Sequence, residues 1–389
     1  MIPNSFTGAI THMAESTPDT PKKGLEDIIA GSTAISFIDG REGRLIYRGY
    51  DIHELVQGNF EEVSYLLLYG NLPTRAELEE FTARLQAESS LPDSVIEEIR
   101  QLPKGVNPME GLRNLLGELS FHDEESNDNA SEANFRKAIR LIAKTPLIVA
   151  SLHRIRSGQE IVLPRTDLGI AANFMYMLFG AEASPEHVRM MDICLILHAD
   201  HEFNASTFTA RVIAATLSDM YSAVVGAVGA LKGPLHGGAN EQVMRMLTEI
   251  NDPAGTEKWI TDALASKKKI MGFGHRVYKT EDPRATHLRK MSRALADETG
   301  ESKWYDMSET IEKVVLAQKG LYPNVDFYSA SAYYMMEIPI ELFTPIFAIS
   351  RMVGWTAHVI EQHADNRLIR PASDYTGKID LSYVPIEQR

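Results

Sequence analysis

Most of this chain carries apolar residues at helical spacing, and this periodicity limits the folds open to it more than any other feature. Residues 95–102 and 109–119, for example, each place their apolar side chains on one helical face. The only convincing strand signal lies at residues 32–50, where two short strands are expected around an Asp39-Gly40 turn. The sequence therefore predicts an all-α fold with one short N-terminal β-hairpin.

Prolines and capping residues divide the helical pattern. Ser184 followed by Pro185 is typical of a helix start, because serine caps the first turn and proline fits its first position. Pro146 interrupts the pattern over residues 131–156 and predicts a kink or break there, since proline cannot donate a backbone hydrogen bond. The small residues of 205–231 predict one long helix that packs closely against its neighbours.

Charge and cysteine content limit which binding partners and which cellular compartment are expected for this chain. The 389-residue chain has a formal net charge of −14, so we expect no nucleic-acid partner, and any anionic ligand needs a local positive pocket. No apolar run reaches the roughly 18 residues that span a bilayer, and residues 1–23 look like a flexible arm rather than a leader. The single cysteine, Cys194, fits a packing role in a reducing compartment. We therefore expect a soluble, cytoplasmic protein.

One loop combines the features expected of a site for anionic substrates. The segment KKKIMGFGHRVYKTEDPR carries His275 between a lysine cluster and Arg284. Gly272 and Gly274 have no side chains to block a ligand from the backbone N–H groups. Lysine and arginine can hold phosphate or carboxylate groups.

Three further loops carry candidate chemistry, each with an ordinary alternative. His198, Asp200 and His201 could bind a metal, as in metal-dependent hydrolases, or could simply end a helix. His236 precedes a Gly-Gly turn, so it is either open to a ligand or only solvent-exposed. Asp326 lies among aromatic residues and valine, which could raise its basicity by burial, although such an aspartate often caps a helix.

Together these loops resemble the citrate synthase family. The strings HADHEFNAST, GPLHGGANEQV, IMGFGHRVYKTEDPRA, YPNVDFYSA and IRPASDYTG stand in the order and approximate spacing of that family. The stretch GLEDIIAGSTAISFIDGREGRLIYRGYDI is similar to its N-terminal signature. The resemblance covers residues 24–377, nearly the whole chain.

The resemblance implies an acyltransferase with two helical domains. Residues 24–237 and 338–389 would form a large domain, and residues 238–337 a small domain that closes over the active-site cleft. The implied reaction condenses acetyl-CoA with oxaloacetate and hydrolyses the thioester, giving citrate and CoA. A relative with the same catalytic set, 2-methylcitrate synthase, uses propionyl-CoA and is the nearer alternative. A metal-dependent hydrolase built on the His198 loop is the distant one.

The resemblance also assigns three catalytic residues. Asp326 resembles the base that removes a methyl proton from acetyl-CoA, which requires that the developing enolate be stabilised at the same moment. His236 resembles the histidine that donates a hydrogen bond to the thioester oxygen. His275 resembles the histidine that polarises and protonates the oxaloacetate carbonyl.

Several further residues resemble substrate contacts of the family. His201, Arg284 and Arg351 match oxaloacetate-binding residues, and Arg370 matches an arginine that reaches across from a partner subunit. The resemblance therefore implies a homodimer with shared active sites, in which acetyl-CoA is a co-substrate and neither a cofactor nor a metal is needed. The expected CoA contacts are Met271, Gly272, Phe273, Gly274, Lys279, Lys268 and Lys319.

Overall fold

A computed structural model of the protein describes residues 22–25 and 28–389, so the expected arm at 1–23 lies almost wholly outside the described residues. Strands β1 (Ser36–Asp39), β2 (Arg44–Tyr47) and β3 (Tyr50–Asp51) form an antiparallel sheet in the order β1-β2-β3. Ser36 pairs with Tyr47, and Asp39 with Arg44 at the turn. The predicted hairpin is confirmed. The two-residue strand β3 was missed because it is too short to show alternation.

Helices make up nearly all of the other regular structure, which confirms the all-α prediction. Sixteen α-helices lie within the described part of the chain. In chain order they are α1 (Ile52–Leu55), α2 (Phe60–Tyr69), α3 (Arg75–Ala87), α4 (Asp93–Gln101), α5 (Pro108–Glu118), α6 (Ser131–Arg156), α7 (Ile170–Phe179), α8 (Pro185–His198), α9 (Ala205–Ala214), α10 (Met220–Leu231), α11 (Ala239–Ile250), α12 (Thr256–Ala265), α13 (Pro283–Thr299), α14 (Lys303–Lys319), α15 (Val325–Met335) and α16 (Phe343–Ala364).

The single helix predicted at 205–231 is wrong, and Pro146 does not break the helix that contains it. The expected long helix at 205–231 is two helices, α9 and α10, because Leu217 adopts a φ of 64° and the Asp219 side chain caps α10 by accepting from the Ser222 N–H. Helix α6 runs without a break through Pro146. Its side chains are buried along most of its second half, so tertiary packing holds the helix together where the local sequence would end it.

Helix α16 lies at the centre of the core and places one charged residue inside it. Its residues from Phe343 to Val359 are buried on every side, against helices that include α6, α8 and α9. A helix that is apolar all round needs such complete enclosure. Arg351 lies in the middle of this buried stretch and is 1% exposed. A buried guanidinium needs a polar environment, and α16 therefore marks where a polar site enters the core.

The described residues fall into two groups by their contacts. Residues 33–369 form one compact unit that contains all sixteen helices and the sheet. Residues 370–389 belong to the other group and contain little regular structure beyond a 3-10 turn at Ile386–Gln388. The expected small domain at 238–337 lies entirely within the first unit, and its separate movement stays a prediction. None of the helices seen in the described residues is long and apolar enough to cross a membrane.

Candidate active site

Helix ends and loops from separate parts of the chain line one cleft. The main cleft has a volume of about 560 Å³, and a pocket of about 110 Å³ shares several of its walls. His201, His236, His275 and Asp326 line both spaces. His201 follows α8 and His236 follows α10. His275 precedes α13, and Asp326 is the second residue of α15. The fold therefore brings all three expected catalytic residues together.

Backbone groups fix the protonation state of His275. The Nδ1 atom accepts hydrogen bonds from the N–H groups of Val277 at 3.0 Å and Tyr278 at 3.2 Å. Both donors require a lone pair on Nδ1, so the neutral ring carries its hydrogen on Nε2. Burial and the nearby Arg284 lower the pKa of His275 to about 4. At neutral pH this ring is an uncharged donor.

His236 shows the opposite tautomer. Its Nε2 accepts the backbone N–H of Ser206 at 3.3 Å and lies 2.8 Å from the Ser206 hydroxyl. The amide hydrogen requires a lone pair on Nε2, which puts the ring hydrogen on Nδ1. Burial, with a smaller contribution from Arg351, lowers the pKa of His236 to about 4. The site therefore holds two neutral imidazoles, one with Nε2–H and one with Nδ1–H.

Asp326 is a carboxylate kept away from hydrogen-bond donors. It is the second residue of α15, and Asn324 rather than Asp326 caps that helix by accepting from the Asp326 N–H. The Oδ1 atom is buried and finds no donor in residues 22–25 or 28–389. Burial raises the pKa of Asp326 to about 7, which is the direction expected from its apolar neighbours. A carboxylate with this pKa can exchange protons at physiological pH.

Two buried guanidinium groups supply positive charge to the smaller pocket. Arg284 is held by Asp282 through Nε at 2.9 Å and Nη2 at 2.7 Å. Arg351 donates through Nε to the His198 carbonyl at 2.7 Å, but its buried Nη1 has no partner within the described part of the chain. Burial lowers the pKa of Arg351 to about 10. An anionic ligand would compensate this charge.

The side chains of the His198 loop face different surroundings. His198 Nδ1 lies 2.8 Å from the Cys194 carbonyl, whereas Asp200 faces Ser36 and His358. His201 turns into the cleft, with its Nε2 3.2 Å from the Tyr278 hydroxyl. No group of three or more His, Cys, Asp or Glu side chains in the described ranges could hold a metal ion. The three side chains thus lie in different environments, and only His201 among them lines the cleft.

The main cleft contains the glycine loop but not the lysines expected to bind CoA. Residues 271–274 line it, together with Lys269 and Arg276. By contrast, Lys268 contacts Glu249 and Trp259, Lys279 donates to the Arg276 carbonyl, and Lys319 is exposed. None of those three lysines lines the cleft. Their CoA contacts stay predictions, as does the role of Arg370, which belongs to the second group of residues.

Gly272 allows the glycine loop to pack tightly beneath the cleft. Its φ is +81°, and a Cβ atom there would lie 2.8 Å from a Val243 methyl and 2.9 Å from the Phe327 ring. The Gly272 carbonyl accepts from the Asn324 N–H at 2.9 Å. The loop is therefore joined to the segment that begins α15.

Sequence reasoning missed several residues that support the site. Asn324 caps the helix of Asp326 and donates through Nδ2 to the Gly274 carbonyl at 3.0 Å, directly before His275. Tyr278 contacts His201, and Asn204 lines both spaces. An asparagine two residues before Asp326 is a recognisable capping signal, and the Asp-Pro-Arg string of residues 282–284 could have suggested the Asp282–Arg284 pair. Nothing in the sequence pairs Tyr278 with His201.

Comparison with known proteins gives consistent matches. The chain matches the family model described as citrate synthase, C-terminal domain, over residues 24–372. It is 54% identical over 372 residues to Citrate synthase 2 of Bacillus subtilis, covering 95% of this chain and 100% of that protein. It is 43% identical over 383 residues to 2-methylcitrate synthase 2 of Corynebacterium glutamicum, covering 97% and 100%.

A solved structure also matches over nearly the whole chain. It is the ternary complex of carboxymethyl coenzyme A and oxaloacetate with citrate synthase from Thermoplasma acidophilum. Its TM-score is 0.90 at 37% identity, and the match covers 94% of this chain and 99% of that one.

Proposed function

The chain belongs to the citrate synthase family and is an acyltransferase-type enzyme, and from this premise we propose that it condenses acetyl-CoA with oxaloacetate to give citrate and CoA. One observation carries the proposal. Two neutral imidazoles of opposite tautomer and a carboxylate with a pKa of about 7 surround a pocket walled by Arg284 and Arg351. This set combines a base, two hydrogen-bond donors and cations for a dicarboxylate.

The proposed chemistry begins at the acetyl methyl group. Asp326 takes a methyl proton while the Nδ1–H of His236 donates to the thioester oxygen, which stabilises the enolate as it forms. The enolate carbon bonds to the oxaloacetate carbonyl carbon. The Nε2–H of His275 supplies the proton to the resulting alkoxide oxygen. Water then attacks the thioester and gives one proton to His275, which restores its Nε2–H, while the hydroxyl adds to the carbonyl carbon. The CoA sulfur leaves with the proton that Asp326 took from the methyl group, so both residues return to their starting states.

Charge complementarity supports oxaloacetate as the acceptor. Its two carboxylates match the two guanidinium groups of the smaller pocket, and the unpartnered Nη1 of Arg351 would gain a charge-assisted hydrogen bond. His201 lies beside His275, with ring centroids 5.1 Å apart, and would bind the same substrate. We propose that the CoA portion occupies the main cleft along residues 271–274.

The second candidate is 2-methylcitrate synthase, which would use propionyl-CoA with the same residues. The 43% identity to the Corynebacterium glutamicum relative favours it, whereas the 54% identity to Bacillus subtilis Citrate synthase 2 and the KTEDPRA string favour the citrate reaction. One methylene in an apolar pocket changes binding by only about 1–3 kcal/mol, so some activity with both acyl groups is expected.

Thiol release measures both reactions directly. Purified protein is given oxaloacetate with acetyl-CoA or propionyl-CoA at matched subsaturating concentrations, so that the ratio of rates reports specificity. A preference for acetyl-CoA supports the proposal, and a preference for propionyl-CoA replaces it with the methylcitrate reaction. If neither acyl-CoA gives oxaloacetate-dependent release, while the protein is folded, both functions are ruled out.

We further propose that the working unit is a homodimer in which Arg370 of one subunit completes the active site of the other. A dicarboxylate substrate and a tricarboxylate product need several fixed cations, and a third arginine beside Arg284 and Arg351 would meet that need. No cofactor is required by this chemistry, because each step moves only protons and the acyl group. A cytoplasmic location is consistent with the single buried cysteine.

A further inference from the structure

The turn of the N-terminal hairpin contacts the loop that carries His275. The Gly40 carbonyl accepts from the Lys279 N–H at 2.8 Å. A Cβ atom on Gly40 would lie 2.4 Å from the Val277 carbonyl oxygen and 2.9 Å from its carbon. Real Cβ atoms do not approach backbone that closely, so only glycine permits this contact. The hairpin turn and the loop thus meet backbone to backbone.

The same loop segment sets the orientation of His275. Val277 and Tyr278 donate their N–H groups to His275 Nδ1, and Val277 and Lys279 are the residues that meet Gly40. A shift of this segment would therefore move both donors relative to the imidazole. Those donors also decide which ring nitrogen of His275 carries the hydrogen. The hairpin turn at Gly40 therefore influences both the position and the tautomer of His275.

Strand β1 also contacts the loop that carries His201. The Ser36 hydroxyl donates to Asp200 and accepts from the Glu202 N–H at 2.9 Å. The Ile38 N–H donates to the Glu202 carboxylate at 2.6 Å. His201 lies between Asp200 and Glu202, so one hairpin contacts the segments of both His201 and His275.

We propose that Gly40 is a positioning residue for the acyl-transfer reaction, holding the 277–279 segment so that His275 presents Nε2–H to the substrate carbonyl. This inference rests on the proposed function of His275. It gives the hairpin a role in chemistry although the turn itself carries no reactive group. Ser36 and Ile38 extend the same support to the His201 loop.

A matched pair of glycine substitutions tests the proposal. Gly40→Ala forces the turn and the loop apart, whereas Gly105→Ala makes the same chemical change where no atom lies within 4 Å of the added methyl. A displacement of about 1 Å can reduce turnover by roughly 10²-fold, so we expect kcat of Gly40→Ala to fall about 10–100-fold. We expect Gly105→Ala to match the wild-type protein.

A spectroscopic measurement separates positioning from a purely structural effect. The ¹⁵N shifts of His275, assigned by comparison with His275→Gln, report which ring nitrogen carries the hydrogen. We expect Nε2–H in the wild-type protein and a mixture of tautomers in Gly40→Ala, with KM for oxaloacetate changing less than kcat. A folded Gly40→Ala variant with wild-type kcat and the wild-type tautomer would overturn the proposal.

The wild-type spectrum keeps the test decisive if Gly40→Ala does not fold. A wild-type His275 with its hydrogen on Nδ1 would refute the proposal without any variant, and Nε2–H would support it. The spectra also separate this inference from the proposed function. If the wild-type protein released no thiol, the proposed function would fail, whereas the tautomer and its dependence on Gly40 would still be measured.

Discussion

At the scale of single residues, Asp326 shows most clearly how the fold favours chemistry over stability. Its side chain is 9% exposed, and its Oδ1 has no hydrogen-bond donor in the described residues. The folded pKa is therefore raised from 3.8 to about 7. A carboxyl with a raised pKa stabilises the fold only while it is protonated, so its contribution is lost as the pH rises through about 7.

Replacing Asp326 with asparagine should therefore stabilise the protein while it stops turnover. Each pKa unit corresponds to about 1.4 kcal/mol, and after allowing for an unpartnered amide we expect a gain of about 1–3 kcal/mol at pH 8. The gain should shrink as the pH falls toward 4. Thermal unfolding across this range measures the gain, and the thiol assay should show a loss of about 10²–10⁴-fold.

The exposed aspartate Asp297 on α13 provides the control, because Asp297→Asn should leave both activity and its pH dependence unchanged. Two results would contradict the assignment of Asp326 as the base. One is a variant that keeps more than about a tenth of wild-type turnover. The other is a stability gain that is the same at pH 5 and pH 8.

The same residue predicts the pH dependence of catalysis. The base form of Asp326 is lost as the pH falls through about 7, whereas His236 and His275 stay neutral until the pH approaches 4. With both substrates subsaturating, the rate reports groups of the free enzyme. We expect the rate to fall on the acid side of its pH profile, an acid limb whose midpoint lies near pH 7. A rate that stays constant down to pH 5 would be inconsistent with this arrangement.

At the scale of secondary-structure elements, the start of α15 joins Asp326 to the loop that carries His275. The Asn324 side chain accepts from the Asp326 N–H and donates to the Gly274 carbonyl. Its backbone N–H donates to Gly272. One capping residue therefore contacts two segments of the candidate site that are 50 residues apart in the chain.

Asn324→Asp separates the two functions of this cap. Aspartate can still accept the Asp326 N–H, so the helix should remain, but it cannot donate to the Gly274 carbonyl and adds a negative charge beside Asp326. We expect unfolding free energy to change by less than about 2 kcal/mol, while the acid limb moves to higher pH and kcat falls. Thermal unfolding and the pH profile of thiol release measure these effects.

Asn324→Ser is the companion variant, since serine also caps a helix but adds no charge. It should lower kcat without moving the acid limb. If both variants shifted the limb equally, the charge of residue 324 would not be the cause.

At the scale of the whole molecule, the proposed homodimer predicts that one chain alone does not complete its own active site. The chain places Arg284 and Arg351 in the smaller pocket, whereas Arg370 lies outside the compact unit of residues 33–369. If Arg370 is supplied by a second subunit, inactive variants can complement each other. This makes the assembly testable by activity alone.

Mixing Arg370→Ala with Asp326→Asn should restore activity. A mixed dimer would contain one site with intact Asp326 and an arginine from the other subunit, and one site with both defects. With random exchange, half of the dimers are mixed, so about a quarter of wild-type activity is expected, by the symmetry of a two-fold dimer. Each variant alone should stay near background.

Failure of complementation would contradict the shared site, provided that mass spectrometry shows mixed dimers. Mixing Arg370→Ala with an Asp297→Asn protein gives the activity control. In that mixture every site keeps Asp326 and works whenever the partner chain supplies Arg370, so about half of wild-type activity is expected with or without exchange.

Local sequence patterns predicted most of the secondary structure and the chemical types of the site residues. Apolar periodicity and caps such as Ser184 indicated helices that the structure contains, because these signals depend on residues within one or two turns. The loops of His201, His236, His275 and Asp326 were also visible, and their resemblance to one family indicated that they act together. The direction of the Asp326 pKa shift followed from its apolar neighbours.

How those residues are held depends on the tertiary structure. Continuity of α6 through Pro146 depends on packing from distant helices, and the unpartnered Nη1 of Arg351 depends on the enclosure of α16. The contact of Gly40 with Val277 and the pairing of His201 with Tyr278 join residues far apart in the chain. Local sequence patterns cannot predict such long-range contacts, because these contacts arise from the packing of the whole core. The local sequence thus indicates which groups line the candidate site, and the fold fixes their tautomers, their charges and their directions.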